Sequence, residues 1–134
     1  MIYTTNKFKS FHVFIFSMQT RSKETVVEEL ELIDWFYTEY PKERRIKRFQ
    51  HGYKKMKILG IISHYPNGVS KKEIQNKLPY KLNNYLYELR MEGLIESTYP
   101  YSPGTRYICT EDGLNTYKCL LEIALEARRL WTFE

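Results

Sequence analysis

The stretch GLIESTYPYSPGTRYICTEDGLNTY, residues 93–117, limits the possible folds more than any other part of the chain. Two short β-prone runs, residues 94–99 and 106–110, flank a loop that holds Pro100, Pro103 and Gly104, and together they read as one hairpin. Gly93 is suited to end a helix just before it, because glycine enters the left-handed C′ conformation without a Cβ clash. Thr110, followed by Glu111 and Asp112, is suited to start a helix just after it. A lone hairpin between helices places the chain in a mainly α class with a small β-hairpin.

Helical signals lie on both sides. Thr25 and Glu28 form a T-x-x-E capping box that opens a helix to about residue 40, with Val26, Leu30, Ile33, Phe36 and Tyr40 on one face. Pro41 ends it. A second helix covers about residues 53–64, where Met56, Ile58, Leu59, Ile61, Ile62 and Tyr65 give a wide apolar face. After the turn Tyr65-Pro66-Asn67-Gly68, Ser70 and Glu73 form a second capping box, and Ile74 and Leu78 are the inward positions of the short helix that follows. Pro79 stops that helix and is tolerated in the first turn of the next, expected over about residues 80–92. The last helix runs from Glu111 to near Trp131. Two short helices about a tight turn make a helix-turn-helix, and the hairpin after the second is its wing. The expected organisation is an N-terminal arm or strand (1–21), an N-terminal helix and basic segment (22–52), a winged helix-turn-helix (53–110) and a C-terminal dimerisation helix (111–134).

A chain of 134 residues holds about one domain. Its formal charge of +5 is concentrated, since residues 42–57 carry eight Lys and Arg against the single acid Glu43. Such a run suits a polyanion, or is a solvated face. Cys109 and Cys119 have neither metal nor redox spacing and read as small buried hydrophobes of a reducing cytoplasm. The apolar run FHVFIF, residues 11–16, is far too short to span a membrane and fits a strand or adherent arm. His12, His51 and His64 are scattered, and no phosphate-binding loop, H-E-x-x-H or G-x-S-x-G motif occurs. No enzyme, metal or cofactor is expected. The acids Glu28, Glu29 and Glu31 read as a solvated outer helix face.

On the helix expected from Tyr80, Leu82, Tyr85, Leu86 and Leu89 fall on one side at helical spacing. The opposite side shows Tyr80, Asn84, Tyr87 and Met91, flanked by Lys81, Asn83 and Glu88. Asn pairs with adenine in the major groove, Lys and Tyr reach phosphates or base edges, and an α-helix has the width of that groove. The bland alternative is an ordinary solvated face.

At this point the chain resembles the winged helix-turn-helix of dimeric prokaryotic regulators of the MarR and PadR groups, and of similar small archaeal DNA-binding proteins. The residues that carry the resemblance are the capped short helix at 70–78, the leucines Leu82, Leu86 and Leu89 ahead of Gly93-Leu94-Ile95, and YICTEDG, residues 107–113, similar to the family's Y-x-L-T-E-x-G. Pro79 and Tyr80 depart from the family's usual turn, and the short wing has one candidate cation, Arg106.

The resemblance implies a DNA-binding homodimer whose recognition helix enters the major groove of double-stranded DNA. Lys71, Lys72 and Arg106 are then candidates for phosphate contacts, and Arg44, Arg45 and Arg48 for the DNA backbone or for solvent. The last helix is apolar on two sides, with Leu114, Tyr117, Leu121, Ala124 and Trp131 on one and Leu120, Ile123, Ala127 and Leu130 on the other. One stripe covers the domain's core. The second, with Trp131 and with Trp35 from the N-terminal helix, covers either a second copy of the chain or that N-terminal helix within the same chain. The competing function is a winged-helix adaptor that binds only protein.

Overall fold

The computed structural model describes residues 23–40, 52–98 and 104–132. The expected arm, the basic residues Arg44, Arg45 and Arg48, and the tip of the hairpin lie outside the described residues. The elements are helices α1 (Lys23–Thr38), α2 (Tyr53–Ser63), α3 (Lys71–Gln75), α4 (Asn83–Met91) and α5 (Glu111–Thr132), with one antiparallel hairpin, β1 (Ile95–Thr98) and β2 (Arg106–Cys109), between α4 and α5. None of these helices is long and apolar enough to cross a membrane.

The centre of the molecule is α2, which packs against α1, α3, α4, α5 and β2. Its sequence explains the position. From Met56 to Ile62 only Lys57 is charged, and a segment apolar on nearly every side has to be enclosed. Ile74, Leu78, Leu82, Leu86 and Leu89 close over it from α3, α4 and the connection between them, and Tyr117, Leu120, Leu121 and Ala124 from α5.

The hairpin pairs Ile95 with Cys109 and Thr98 with Arg106. Val69, just ahead of α3, bridges Tyr107 on the other edge of β2 through reciprocal backbone bonds of 2.9 and 2.8 Å. A hairpin that is marginal alone thereby gains a third rung and an apolar floor. Leu94 and Ile95 are buried, while Tyr107 and Cys109 are half-buried against the core.

The end of α4 is locked by a Schellman motif. The Gly93 N–H donates to the Arg90 carbonyl at 3.0 Å and the Leu94 N–H to the Leu89 carbonyl at 2.9 Å, with Gly93 at φ +75°. Thr110 then joins the hairpin to α5. Its Oγ1 donates to the Gly93 carbonyl at 2.6 Å and accepts the Gly113 N–H at 3.0 Å, so it is both a tie and a helix cap. Gly113 passes so near the Leu94 carbonyl oxygen that a Cβ would sit 1.9 Å from it.

Four expectations are corrected. Thr25 does not cap α1: the helix is already under way at Lys23, and Thr25 is buried inside its first turn. Helix α4 starts at Asn83 rather than Tyr80, so Pro79, Tyr80 and Lys81 belong to the connection from α3. Cys119 is exposed rather than buried, and neither cysteine forms a disulfide. Glu29 is fully buried and not solvated, accepting a 3.0 Å bond from the Tyr117 hydroxyl.

Candidate nucleic-acid interface

The local sequence builds this surface from the end of α2 onward. Ser70 caps α3 in a reciprocal box, with its Oγ accepting the Glu73 N–H at 3.2 Å and its N–H donating to Glu73 Oε1 at 3.3 Å. Helix α3 is short, and its last residue holds the connection that follows. Gln75 Nε2 donates to the Tyr80 carbonyl at 2.6 Å and to the Leu78 carbonyl at 3.3 Å. These bonds bind the carbonyls on either side of Pro79 outside any helix, which is why α4 cannot begin at Tyr80. Gln75 is not singled out by the sequence; its signal is an amide four residues before the proline of a connection whose carbonyls lie outside a helix.

Two further contacts join α3 to its neighbours. Lys71 Nζ donates to Asn83 Oδ1, tying the first residue of α3 to the first of α4. Arg106, at the start of β2, places Nη1 3.3 Å from the Gly68 carbonyl and 3.7 Å from Glu73 Oε1. Lys71, Asn83 and Arg106 are thus brought into one neighbourhood around α3, with Glu73 among them. Lys72 and Lys81 are exposed beside it. Arg106 is therefore not a bare phosphate finger, although its side chain stays 52% exposed and Glu73 offsets part of its charge.

The outward face of α4 is open. Leu82, Leu86 and Leu89 turn inward, and Asn84, Tyr87 and Met91 are exposed, Tyr87 by 61% and Met91 by 69%. Two carboxylates at the edge of this face, Glu88 and Glu92, would repel a polyanion. Both are held by Lys55, which reaches out from α2 to within 3.5 Å of Glu88 Oε1 and 2.9 Å of Glu92 Oε2. The Lys55 side chain is only 10% exposed, so this contact is screened less than a surface pair. The sequence placed Lys55 in an undifferentiated basic run, and only the packing of α2 on α4 singles it out.

Tyr80 faces the body of the protein. Its ring lies edge-on to Tyr85 at 6.1 Å, Lys54 Nζ sits 5.0 Å from its centroid, and its hydroxyl donates to the Lys54 carbonyl at 3.4 Å. Burial, then the nearby Tyr53, Tyr85 and Asp34, push the phenol up to about 12. It stays a neutral donor at any physiological pH. Tyr53 is raised for the same first reason, burial, and by its bond to Asp34, which Lys57 also approaches at 3.1 Å.

The six residues expected at a dimer interface divide. Leu120 and Ala127 are buried within the single chain, and Ile123 and Trp35 are half-buried against its core. The reason is that α1 and α5 pack on each other, which uses the stripe reserved for a second copy. Only Leu130, 50% exposed, and Trp131, 39% exposed, present substantial apolar surface there. No group of His, Cys, Asp and Glu able to hold a metal occurs among the described residues. Compared with known protein families, with curated proteins and with solved structures, the chain matches none of them.

Proposed function

We propose that this protein is a winged helix-turn-helix that binds double-stranded DNA sequence-specifically as a homodimer, in the manner of a transcription regulator. Helix α4 enters the major groove, and the hairpin lies beside it as the wing. The observation that carries this reading is the outward face of α4: exposed amide, phenol and thioether groups, with the neighbouring carboxylates held by Lys55 and exposed lysines at its entrance. Lys72 and Lys81 suit phosphates directly, and Lys71 does so while bonded to Asn83. A two-fold dimer would set two such helices roughly 34 Å apart, matching half-sites one DNA turn apart.

A mobility-shift titration on mixed-sequence duplex DNA at two salt concentrations tests this. Binding at micromolar protein that weakens steeply as salt rises is expected, because each neutralised phosphate releases counterions. A titration without any shift removes the DNA reading. It would favour a protein-binding adaptor, for which the exposed Leu130 and Trp131 at the end of α5 are the supporting observation.

A further inference from the structure

Three positions form the centre of the outward face of α4. Asn84, Tyr87 and Met91 are spaced by three and four residues and fall within one side of the helix at about 100° per residue. Tyr87 and Met91 are among the most exposed large apolar groups described, and as an i,i+4 pair they make a continuous apolar strip. Beside them Asn84 is exposed, whereas the amide oxygen of its neighbour Asn83 is taken by Lys71. The central strip carries neither Arg nor Lys. Arg90 and Asn83 lie about 80–100° round the helix from Met91, on the side where Lys71 bonds Asn83.

Those residue types are selective. Guanine in the major groove is read by the paired donors of Arg or Lys, which the strip lacks; adenine is read by Asn, and thymine presents a C5-methyl that favours apolar contact. Resting on the DNA-binding reading above, we propose that α4 reads A·T base pairs, Asn84 taking the adenine edge and the Tyr87–Met91 strip covering thymine methyls. The partner class is A·T-rich duplex DNA, recognised by its methyl groups as well as by its hydrogen-bonding edges.

Fluorescence-anisotropy titrations of the full chain test it with three synthetic duplexes: one A·T-rich, the same duplex with deoxyuridine replacing thymidine, and one G·C-rich. Uracil keeps the Watson–Crick pairing and removes only the methyl. The expected result is tightest binding to the thymine duplex and about fourfold weaker binding for each contacted methyl lost. Met91→Ala should shrink the thymine-to-uracil difference and Met91→Leu should retain it. Both changes fall on an exposed side chain, and circular dichroism checks that the fold survives. Salt-sensitive binding that is equal for thymine and uracil duplexes overturns the methyl readout and leaves the DNA reading standing. Tighter binding to the G·C-rich duplex likewise overturns only the A·T assignment. Absence of binding to all three overturns both.

Discussion

Tyr117 and Glu29 illustrate how a single side chain can be misread from its neighbours in sequence. Glu29 lies in an acid-rich segment with Glu28 and Glu31, yet it is fully buried and accepts the Tyr117 hydroxyl. The apolar pattern marked Tyr117 as a core position correctly, but pattern alone does not say that its hydroxyl needs an acceptor. The ring also fills the space a side chain at Gly60 would need, with a Cβ there 2.6 Å from the hydroxyl oxygen. Tyr117→Phe keeps the packing and removes the donor. It should destabilise the protein by about 1–3 kcal/mol, read as a lower urea midpoint at unchanged slope. Tyr80 gives a second prediction at this scale. Its phenol rises from 10.0 to about 12 on folding, so its contribution is complete below pH 10 and lost as pH climbs toward 12. Between those limits wild type should lose roughly 2 kcal/mol more stability than Tyr80→Phe, the full effect being reduced by solvent screening of a part-exposed ring, measured by denaturant unfolding across an alkaline series.

The elements were legible where a short-range signal had no competitor. Ser70 with Glu73, Gly93 and Thr110 each formed the expected cap, because their bonding groups and the orphan groups they satisfy lie within one helical turn. The start of α4 was not legible, since it depends on Gln75 reaching across the connection and on Tyr80 docking against α2. The same dependence on tertiary packing hides the charge state of the candidate site. Glu88 looks like a repulsive residue on a DNA-facing helix until Lys55 is placed beside it. Glu88→Gln should tighten binding to duplex DNA a few-fold, with the gain fading at high salt. Lys55→Gln should weaken binding, because two carboxylates then face the phosphates without their cation. Anisotropy titrations at two ionic strengths read both effects, and the opposite signs distinguish electrostatics from a general loss of fold.

At the scale of the whole molecule, the sequence showed that both terminal helices had more apolar surface than one face requires, but not what covers it. A second chain and the other helix of the same chain satisfy the same periodicity. In the structure Glu29 meets Tyr117 and Tyr40 meets Trp131, so α1 and α5 lie side by side in the same direction, with Arg128 above the Trp35 ring at 5.8 Å. That packing encloses Leu120 and Ala127 and leaves Leu130 and Trp131 at the far end of α5. A homodimer built on the terminal helices would therefore use this exposed end and not the buried stripe, which separates two substitutions on one helix. Leu130→Lys should convert a dimer to a monomer in sedimentation, lower DNA affinity and leave helical content unchanged, because the side chain is already half exposed. Leu120→Lys should instead unfold the chain, since an unpaired ammonium in a fully enclosed site costs several kcal/mol, comparable to the whole stability of a domain this size. A dimer that survives Leu130→Lys would place the two-fold contact elsewhere in the chain and sever the link between the terminal helices and DNA half-site spacing.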